Sequence, residues 1–464
     1  MARVRRVLGE SIRGRRGAPL EPLDRARWRT RQGKLSAHDR RWAQACGFDA
    51  SPGQLCLIPN ARGELSRVLA GVDLSSPPFA LGALPSLLPH GDYVLDDGGL
   101  GNALLGIEDA ALGWALGAYR FTRYVASTKE TARLLLPRAV LNEVTPLLDA
   151  IAQVRDLINT PSEDLGPAQL CDAVREVARG YRAECKVFEG GILKREFPTV
   201  HAVGRASSQA PRVARLRWGK PSDPLLAIVG KGVTFDSGGL DIKTADGMRW
   251  MKKDMGGAAH ALALARLVMA ARLPVRLLLV IPAVDNAISG DALKPGEVIR
   301  TRAGVTVEVD NTDAEGRLIL CDALAACVEE KPDLLVDFAT LTGAARVALG
   351  PELPALFAND DRCAEALLAA SRAQHDPLWR LPLWHPYRTM LASHVADLVN
   401  TGASRHAGAI TAALYLERFV PATIPWLHVD VYAWNDGDRP GHPRGGEAQS
   451  LRAFLAFLRE RYSR

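Results

Sequence analysis

Two hydrophobic patterns alternate along the second half of the chain. Continuous apolar runs at Leu225–Val229 and Leu334–Thr340 predict strands that are buried on both faces, and Val275–Pro282 predicts a further strand. Apolar residues spaced three or four positions apart predict helices over Gly256–Arg272, Ala314–Glu329 and Ala409–Phe419. Strands that alternate with helices predict an α/β fold, in which helices flank a central, mostly parallel sheet.

The first part of the chain has a weaker pattern. Leu55–Pro59 and Gly91–Leu95 predict short strands, and Ala110–Arg123 predicts a helix. We therefore expect a smaller N-terminal α/β domain over residues 42–139 and a larger C-terminal domain over residues 140–464.

Composition excludes several classes of protein. With 464 residues, 47% of them apolar and 24% charged, the chain is long and apolar enough for a large folded core. No stretch reads as a membrane span or a signal peptide. The seven cysteines contain no C-x-x-C pair, so we expect free thiols in the reducing cytoplasm.

Positive charge is concentrated at the start of the chain. Residues 1–41 contain 13 Arg and Lys against four acids, a charge of +9, so the other 423 residues sum to −3 for a net charge of +6. This predicts a basic Arg-rich leader over residues 1–41. Such a segment is either a solvated arm or a surface for nucleic acid or anionic lipid.

Four acids fall in or beside two glycine-rich segments, 230–254 and 311–318. If Asp236, Asp254, Asp313 and Glu315 converge, their repulsion requires cations, and two divalent metals would neutralise all four charges. Oxygen ligands suit Mg²⁺ and Mn²⁺, and Zn²⁺ also accepts carboxylates. Taken singly, each acid is more often a turn residue or a helix N-cap, as Asp313 would be before its helix.

Basic side chains accompany these acids. Lys231 and Lys243 stand near the first glycine-rich turn, where a lysine either coordinates a metal through a neutral amine or remains charged to stabilise an oxyanion. Arg317 would hold an anion with its planar guanidinium. The full phosphate-binding P-loop pattern is absent. The residues alone therefore predict a two-metal site without choosing its substrate.

The segment NTDAEGRL at 311–318 resembles the signature of the leucyl aminopeptidase, or cytosol aminopeptidase, family, whose centre holds two metals. KGVTFDSGGLDIK at 231–243 is similar to that family's other hallmark. ATLTG at 339–343 and GAITAAL at 408–414 fit the same pattern. The resemblance covers residues 140–464 and is weak before them. Departures at Ala407 and over Trp434–Gln449 leave substrate preference and subunit packing open.

The resemblance implies a role for each matching position. Lys231 and Asp254 would bind one metal, Asp313 the other, and Asp236 and Glu315 would bridge both.

The remaining matching residues would serve substrate and proton transfer. Lys243 would polarise the substrate carbonyl, and Arg317 would hold a bicarbonate-like anion that shuttles protons. The first-residue pocket and other substrate contacts would fall at Met251, Asn311, Thr340 and Gly343.

The implied activity is that of a metal-dependent aminopeptidase. A hydroxide between two Zn²⁺ or Mn²⁺ ions, with Mg²⁺ as a third candidate, would attack the peptide bond after a free N-terminal residue. Met251 favours an apolar, Leu-like residue there, and core packing is its alternative role. The family also implies a cytoplasmic homohexamer without membrane contact.

Two alternatives to this activity differ in class. A phosphoester hydrolase would use the same metals, and a nucleic-acid-binding protein would use the basic leader, with peptidase activity secondary.

Overall fold

The computed structural model of the protein describes residues 6–11, 17–75, 77–96, 105–125 and 131–463. The chain forms two compact units, residues 1–152 with 435–444 and residues 153–434 with 445–464. All seven cysteines are free, as expected. Among the described residues, no helix has the length and apolar character to cross a membrane.

The first unit is built on a six-stranded sheet. Its strands in chain order are β1 (Leu8–Glu10), β2 (Ala18–Leu23), β3 (Leu55–Pro59), β4 (Leu65–Gly71), β5 (Asp92–Leu95) and β6 (Arg133–Leu136). They lie side by side in the order β1-β6-β5-β2-β4-β3, and only the β3–β4 pair is antiparallel. The predicted strand at residues 55–59 is confirmed with its bounds.

Short helices connect these strands. They are α1 (Arg25–Arg31), α2 (Ala37–Ala45), α3 (Leu84–Leu87) and α4 (Ile107–Gly117), with single 3₁₀ turns at Gln32–Lys34 and Pro77–Phe79, and the 22-residue helix α5 (Arg138–Asn159) follows the last strand.

Part of the Arg-rich segment lies inside this fold. Strand β2 occupies an interior position between β4 and β5, and the Arg31 guanidinium forms a buried ion pair with Glu21 on it. Arg25 pairs with Asp49 at 3.2 Å. The expected boundary at residue 41 therefore does not separate these residues from the sheet, because paired arginines can border a core. Residues 1–5 and 12–16 of the expected leader lie outside the described residues.

The second unit contains a nine-stranded mixed sheet. Its strands are β7 (Glu184–Phe188), β8 (Arg212–Trp218), β9 (Leu225–Gly230), β10 (Gly232–Asp236), β11 (Arg276–Asn286), β14 (Leu334–Ala339), β15 (Ala355–Ala358), β16 (Trp379–Arg380) and β18 (Trp426–Asp430). The remaining strands in this part of the chain are β12 (Val298–Arg300), β13 (Thr306–Glu308) and β17 (Leu398–Val399). Strands β12, β13 and β17 form a separate small sheet. Two-residue strands follow at Trp434–Asn435 and Gly445–Gly446.

The interior of the nine-stranded sheet is parallel. Strands β18, β14, β9 and β11 lie in that order and run in the same direction, and β10 pairs with the second half of β11. This register places Asp236 opposite Asn286. The antiparallel neighbours β8 and β15 lie on the two sides of the parallel core. The predicted α/β class is confirmed.

Helices cover this sheet and lead away from its strand ends. They are α6 (Pro167–Gly180), α7 (Gly190–Glu196), α8 (Pro198–Gly204), α9 (Ala245–Met248), α10 (Gly256–Ala270), α11 (Glu315–Val328), α12 (Gly343–Leu349), α13 (Asp361–Ala373), α14 (Gly408–Glu417) and α15 (Leu451–Arg461), with 3₁₀ turns at Met251–Lys253 and His385–Leu391. Glycine permits close packing at α10, where a Cβ on Gly257 would lie 2.2 Å from the carbonyl oxygen of Phe338 on β14.

Candidate metal centre

A cavity of about 590 Å³ opens in the second unit, at the carboxyl ends of its parallel strands. Lys231 and Asp236 line it from the β9–β10 region, Thr340 from the end of β14 and Asp430 from the end of β18. Ligands of open parallel sheets bind at this edge, because the connecting loops diverge there and leave a crevice. The acids and lysines of the two glycine-rich segments therefore lie at a cavity large enough for a small ligand.

Three carboxylates converge here, of which Asp236 and Asp313 line the cavity and Glu315 is buried next to them. Asp236, Asp313 and Glu315 each offer an oxygen that lies within 4.8 Å of the oxygens of the other two. Asp236 and Glu315 are almost fully buried, and Asp313 is partly buried. Clustered carboxylate oxygens are the ligand type of hard divalent cations.

Asp254 lies in the same region through its contact with Lys231. The Lys231 ammonium donates to Asp254 Oδ1 at 2.9 Å and to the carbonyl oxygen of Thr340 at 2.8 Å, and it lies 3.0 Å from Glu315 Oε1. Thr340 Oγ1 donates to Asp254 Oδ1 at 2.8 Å. Lys231 thus joins the acids of two separate chain segments.

Lys243, the second predicted lysine, contacts the other two carboxylates, Asp236 and Asp313. The Lys243 ammonium is 2.8 Å from Asp236 Oδ2 and forms an ion pair with Asp313. Burial opposes charge on Lys231 and Lys243, but the surrounding carboxylates outweigh it and raise the pKa of both. The two ammonium groups lie between the four carboxylates and neutralise part of their charge, which is the role that metal cations would have.

Residual negative charge remains in the cluster. Four carboxylates face two ammonium groups, so burial and mutual repulsion disfavour the charged forms of Asp313 and Glu315. Burial, then the charge of Asp236, raises the pKa of Asp313 to about 6. The same two causes raise the pKa of Glu315 well above its usual value.

Individual acceptor atoms also lack hydrogen bonds. Asp254 Oδ2, Asp313 Oδ1 and Glu315 Oε1 accept no hydrogen bond of good geometry, although a lysine nitrogen lies within ion-pair distance of each. Buried acceptors normally have a donor or a metal. These residues therefore fit a divalent metal centre in number, charge and chemistry.

Glycine at position 316 makes room for Lys231. A Cβ there would lie 2.5 Å from Lys231 Cε, well inside van der Waals contact. Glu315 and Gly316 begin α11, so the helix supplies a carboxylate and, one residue later, the space in which the lysine meets it. The order Glu-Gly in the sequence motif thus has a steric reason.

Two further side chains fix the ligand segments. Asn286 Nδ2 donates to Asp236 Oδ1 at 2.8 Å and to the carbonyl oxygen of Thr312 at 3.2 Å. Asp241 Oδ2 accepts from the Thr312 backbone N–H at 2.7 Å. Sequence reasoning missed Asn286, although its position at the carboxyl end of a predicted strand was an available signal.

The predicted substrate residues divide into two groups. Met251, Thr340 and Gly343 line the cavity, whereas Asn311 is absent from its lining, as is Arg317, the predicted anion-binding residue. Asn311 Oδ1 instead accepts from the Asp313 backbone N–H at 2.8 Å.

Arg317 is buried in the first turn of α11. Its Nη1 donates to the carbonyl oxygen of Asn400 at 2.7 Å, and its Nε has no hydrogen-bond partner. Burial lowers the pKa of Arg317. The Nε–H is therefore a buried donor without an acceptor among the described residues.

Lys253, Arg346 and Tyr432 also line the cavity and were missed by the sequence interpretation. Lys253 is 6% exposed, and its burial lowers the pKa to about 8. The signal for Lys253 was its position, two residues after Met251 and next to Asp254. No motif pointed to Arg346 or Tyr432.

His428 and His385 are not among the residues that line the cavity. His428 Nδ1 is 2.6 Å from Asp337 Oδ1 inside the sheet, and exposed His385 pairs with Glu417 at 3.1 Å.

Comparisons with known proteins agree with this geometry. The cytosol aminopeptidase family's catalytic domain matches residues 152–455, and the M17 aminopeptidase N-terminal domain matches residues 18–137. A probable cytosol aminopeptidase of Syntrophotalea carbinolica is 39% identical over 75% of this chain and 74% of its own length. One from Chlorobaculum tepidum is 41% identical over 68% of this chain and 67% of its own.

Solved structures give the same result. The cytosol aminopeptidase of Coxiella burnetii is 49% identical, with a TM-score of 0.93 over 98% of this chain and 99% of that one. The bottromycin maturation enzyme BotP in complex with Mn is 34% identical, with a TM-score of 0.86 over 96% and 99% of the two chains. The profile matches, the relatives and the converging carboxylates show that this chain belongs to the cytosol aminopeptidase family.

Proposed function

We propose that the cavity binds two divalent metal ions and that this centre removes the first residue from peptides with a free N-terminus. As a member of its family, the chain is a metal-dependent aminopeptidase. The convergence of Asp236, Asp313 and Glu315 within 4.8 Å is the observation that carries the proposed site.

Lys231 and Asp254 would hold one ion, Asp313 the other, and Asp236 and Glu315 would bridge both. Their contacts support this division, because Lys231 touches Asp254 and Glu315, whereas Lys243 pairs with Asp236 and Asp313. The ions would supply a water of lowered pKa and polarise the scissile carbonyl. Zn²⁺ and Mn²⁺ are the proposed metals, with Mg²⁺ third, and the manganese complex of BotP supports manganese.

Lys243 is the proposed catalytic cation. It is 15% exposed at the cavity, so its ammonium can reach a bound substrate while it remains next to the cluster. A fixed positive charge there would stabilise the oxyanion that forms when the peptide carbonyl is attacked.

Arg317 is proposed to hold a bicarbonate-like anion that relays protons to the leaving amine. Its buried guanidinium keeps Nε unpaired while Nη1 is anchored on the carbonyl oxygen of Asn400. If this role is correct, bicarbonate raises the wild-type rate and has no effect on Arg317→Ala. An equal response of both proteins would contradict the role.

Substrate class, assembly and location are further proposals. Met251, Thr340 and Gly343 line the part of the cavity proposed for the first residue, and Met251 favours a Leu-like side chain. We propose a cytoplasmic homohexamer on the family resemblance, which light scattering of the purified protein would test. No observation on the described residues favours nucleic-acid or phosphoester chemistry.

The deciding experiment compares peptide substrates with and without a free amine. We expect cleavage of Leu-p-nitroanilide and unblocked dipeptides with Mn²⁺ or Zn²⁺, none of N-acetylated peptides, and none after chelation. Asp313→Asn should lose activity and bound metal. Asp310→Asn, an exposed acid in the same turn, is the matched control. Cleavage that persists in the chelated protein would overturn the proposal.

A further inference from the structure

Two cationic side chains in the metal cavity have no acidic partner in the described part of the chain. Lys253 and Arg346 line the same cavity as Asp236 and Asp313. The Lys253 ammonium lies 4.8 Å from the centre of the Tyr432 ring, and the Arg346 guanidinium lies 5.0 Å from it. Among the described residues, no carboxylate forms an ion pair with either cation. The Tyr432 ring therefore contacts two cations that remain free to meet a ligand.

The nearby acids are occupied by other groups. Asp254 receives hydrogen bonds from Lys231 and Thr340. Asp430 Oδ1 accepts from the Leu341 backbone N–H at 2.9 Å, and its Oδ2 accepts from Thr342 Oγ1 at 2.6 Å. Asp254 and Asp430 attract the Lys253 ammonium electrostatically, but neither forms an ion pair with it.

Lys252, the preceding lysine, has a different environment. Its ammonium donates to the carbonyl oxygen of Asn159 at 2.6 Å, and it lies 5.8 Å from the Trp434 ring. Only Lys253 of the two lines the cavity. The two adjacent lysines of one 3₁₀ turn thus have different contacts. Lys252 is therefore a matched control for substitutions of Lys253.

Burying a cation is costly unless an opposite charge meets it, and Lys253 is 6% exposed without one. The missing partner can arrive with the substrate, because the cavity that holds the cluster also holds Lys253 and Arg346. We propose that Lys253 and Arg346, around Tyr432, form a subsite for a carboxylate of the substrate. This inference rests on the proposed aminopeptidase function and narrows its substrate class to peptides that carry a carboxylate near the scissile bond.

A peptide offers such a carboxylate from two sources. One is the acidic side chain of an N-terminal Glu or Asp, and the other is the C-terminal carboxylate of a dipeptide. Both present the same group to Lys253 and Arg346, which determine specificity and do not touch the reacting atoms. The first source replaces the Leu-like expectation, whereas the second is compatible with it.

Matched substrates separate these sources in the metal-loaded, full-length enzyme. Glu-p-nitroanilide against Gln-p-nitroanilide tests the side-chain carboxylate, and Leu-Gly against Leu-Gly-amide tests the C-terminal one. We expect one pair to show a preference of about tenfold or more in kcat/KM for the carboxylate form. Lys253→Met should abolish that preference, Lys253→Arg should retain it, and Arg346→Met should weaken it.

The controls distinguish loss of the subsite from general damage. Leu-p-nitroanilide carries neither carboxylate, so Lys253→Met should lose at least about tenfold more kcat/KM on the preferred carboxylate substrate than on Leu-p-nitroanilide. Lys252→Met should keep the carboxylate preference. Equal rates within both wild-type pairs, or an equal loss on every substrate in Lys253→Met without rescue by Lys253→Arg, would overturn the subsite. Failure of wild-type enzyme to cleave any free-amine substrate would instead refute the proposed function.

Discussion

The side-chain amide of Asn286 donates a hydrogen bond to Asp236 Oδ1 at 2.8 Å. The same nitrogen reaches the carbonyl oxygen of Thr312 at 3.2 Å, next to Asp313 in the chain. One amide therefore orients an expected bridging carboxylate and holds the turn that carries a second expected ligand.

Replacing Asn286 should weaken metal binding more than folding. We expect Asn286→Ala to lower metal affinity by about 10- to 100-fold, because the Asp236 carboxylate loses the donor that orients it. Titration of the chelated protein with Mn²⁺ measures this change. Asn359→Ala removes an amide that bridges Ile424 and Trp426 instead, and it should leave metal affinity unchanged. Wild-type metal affinity in Asn286→Ala would refute the role.

A methyl group at position 316 should displace Lys231. Because a Cβ on Gly316 would lie 2.5 Å from Lys231 Cε, the lysine must leave its place between Asp254 and Glu315. We expect Gly316→Ala to reduce kcat by at least about tenfold while the fold is retained, as measured by steady-state kinetics and circular dichroism. Gly180→Ala has open space around its new Cβ and should behave like wild type.

Removing the charge of Lys243 should slow catalysis and preserve the metal centre. Lys243→Met is expected to lower kcat by about 100- to 1000-fold, the usual cost of losing an oxyanion-stabilising group. Elemental analysis should still find the wild-type metal content, because Lys243 is not an expected ligand. Lys294→Met changes an exposed lysine and should keep full activity. A Lys243→Met enzyme with normal kcat would exclude the catalytic role.

Acid should destabilise the fold through His260. Its Nδ1 is 2.7 Å from the carbonyl oxygen of Gly256, and its Nε2 accepts from the Gln449 backbone N–H at 2.9 Å, so the ring is neutral. Burial lowers the pKa of His260 from 6.5 to about 4. Between these values the unfolded chain binds a proton that the folded chain does not, so the free energy of unfolding decreases as pH falls.

The expected decrease from this histidine is about 3 kcal/mol across that window. His260→Leu should be less stable than wild type at pH 7 and should lose this part of the pH dependence, as measured by urea unfolding at several pH values. His394→Leu, at an exposed position, should retain it. Parallel wild-type and His260→Leu curves between pH 6.5 and 4 would contradict the assignment.

Local patterns anticipated the α/β class and, in the second unit, strands β9 and β14 and helices α10, α11 and α14. The apolar run at Leu225–Val229 reads as a buried strand because both faces of the parallel sheet are covered, and the structure extends it by one residue to Gly230. Strand β11 was expected at Val275–Pro282 and runs to Asn286, because its second half pairs with β10 in a register that apolar spacing does not specify.

The Arg-rich segment shows where patterns were insufficient. Its charges predicted a leader, yet Arg31 pairs with Glu21 and β2 lies inside the first sheet. Charge counted along a sequence does not reveal which arginines find a carboxylate after folding.

The sequence by itself determined the acids of the site and, through two motifs, the family to which the chain belongs. Only the tertiary structure decided which side chains share the cavity, because that depends on strand register and helix packing between segments far apart in the chain. It brings Lys253, Arg346 and Tyr432 to the cavity, and it leaves Asn311 and Arg317 outside the lining. A motif specifies residue types that are close in the sequence, whereas a binding site also requires short distances between side chains from segments far apart in the chain.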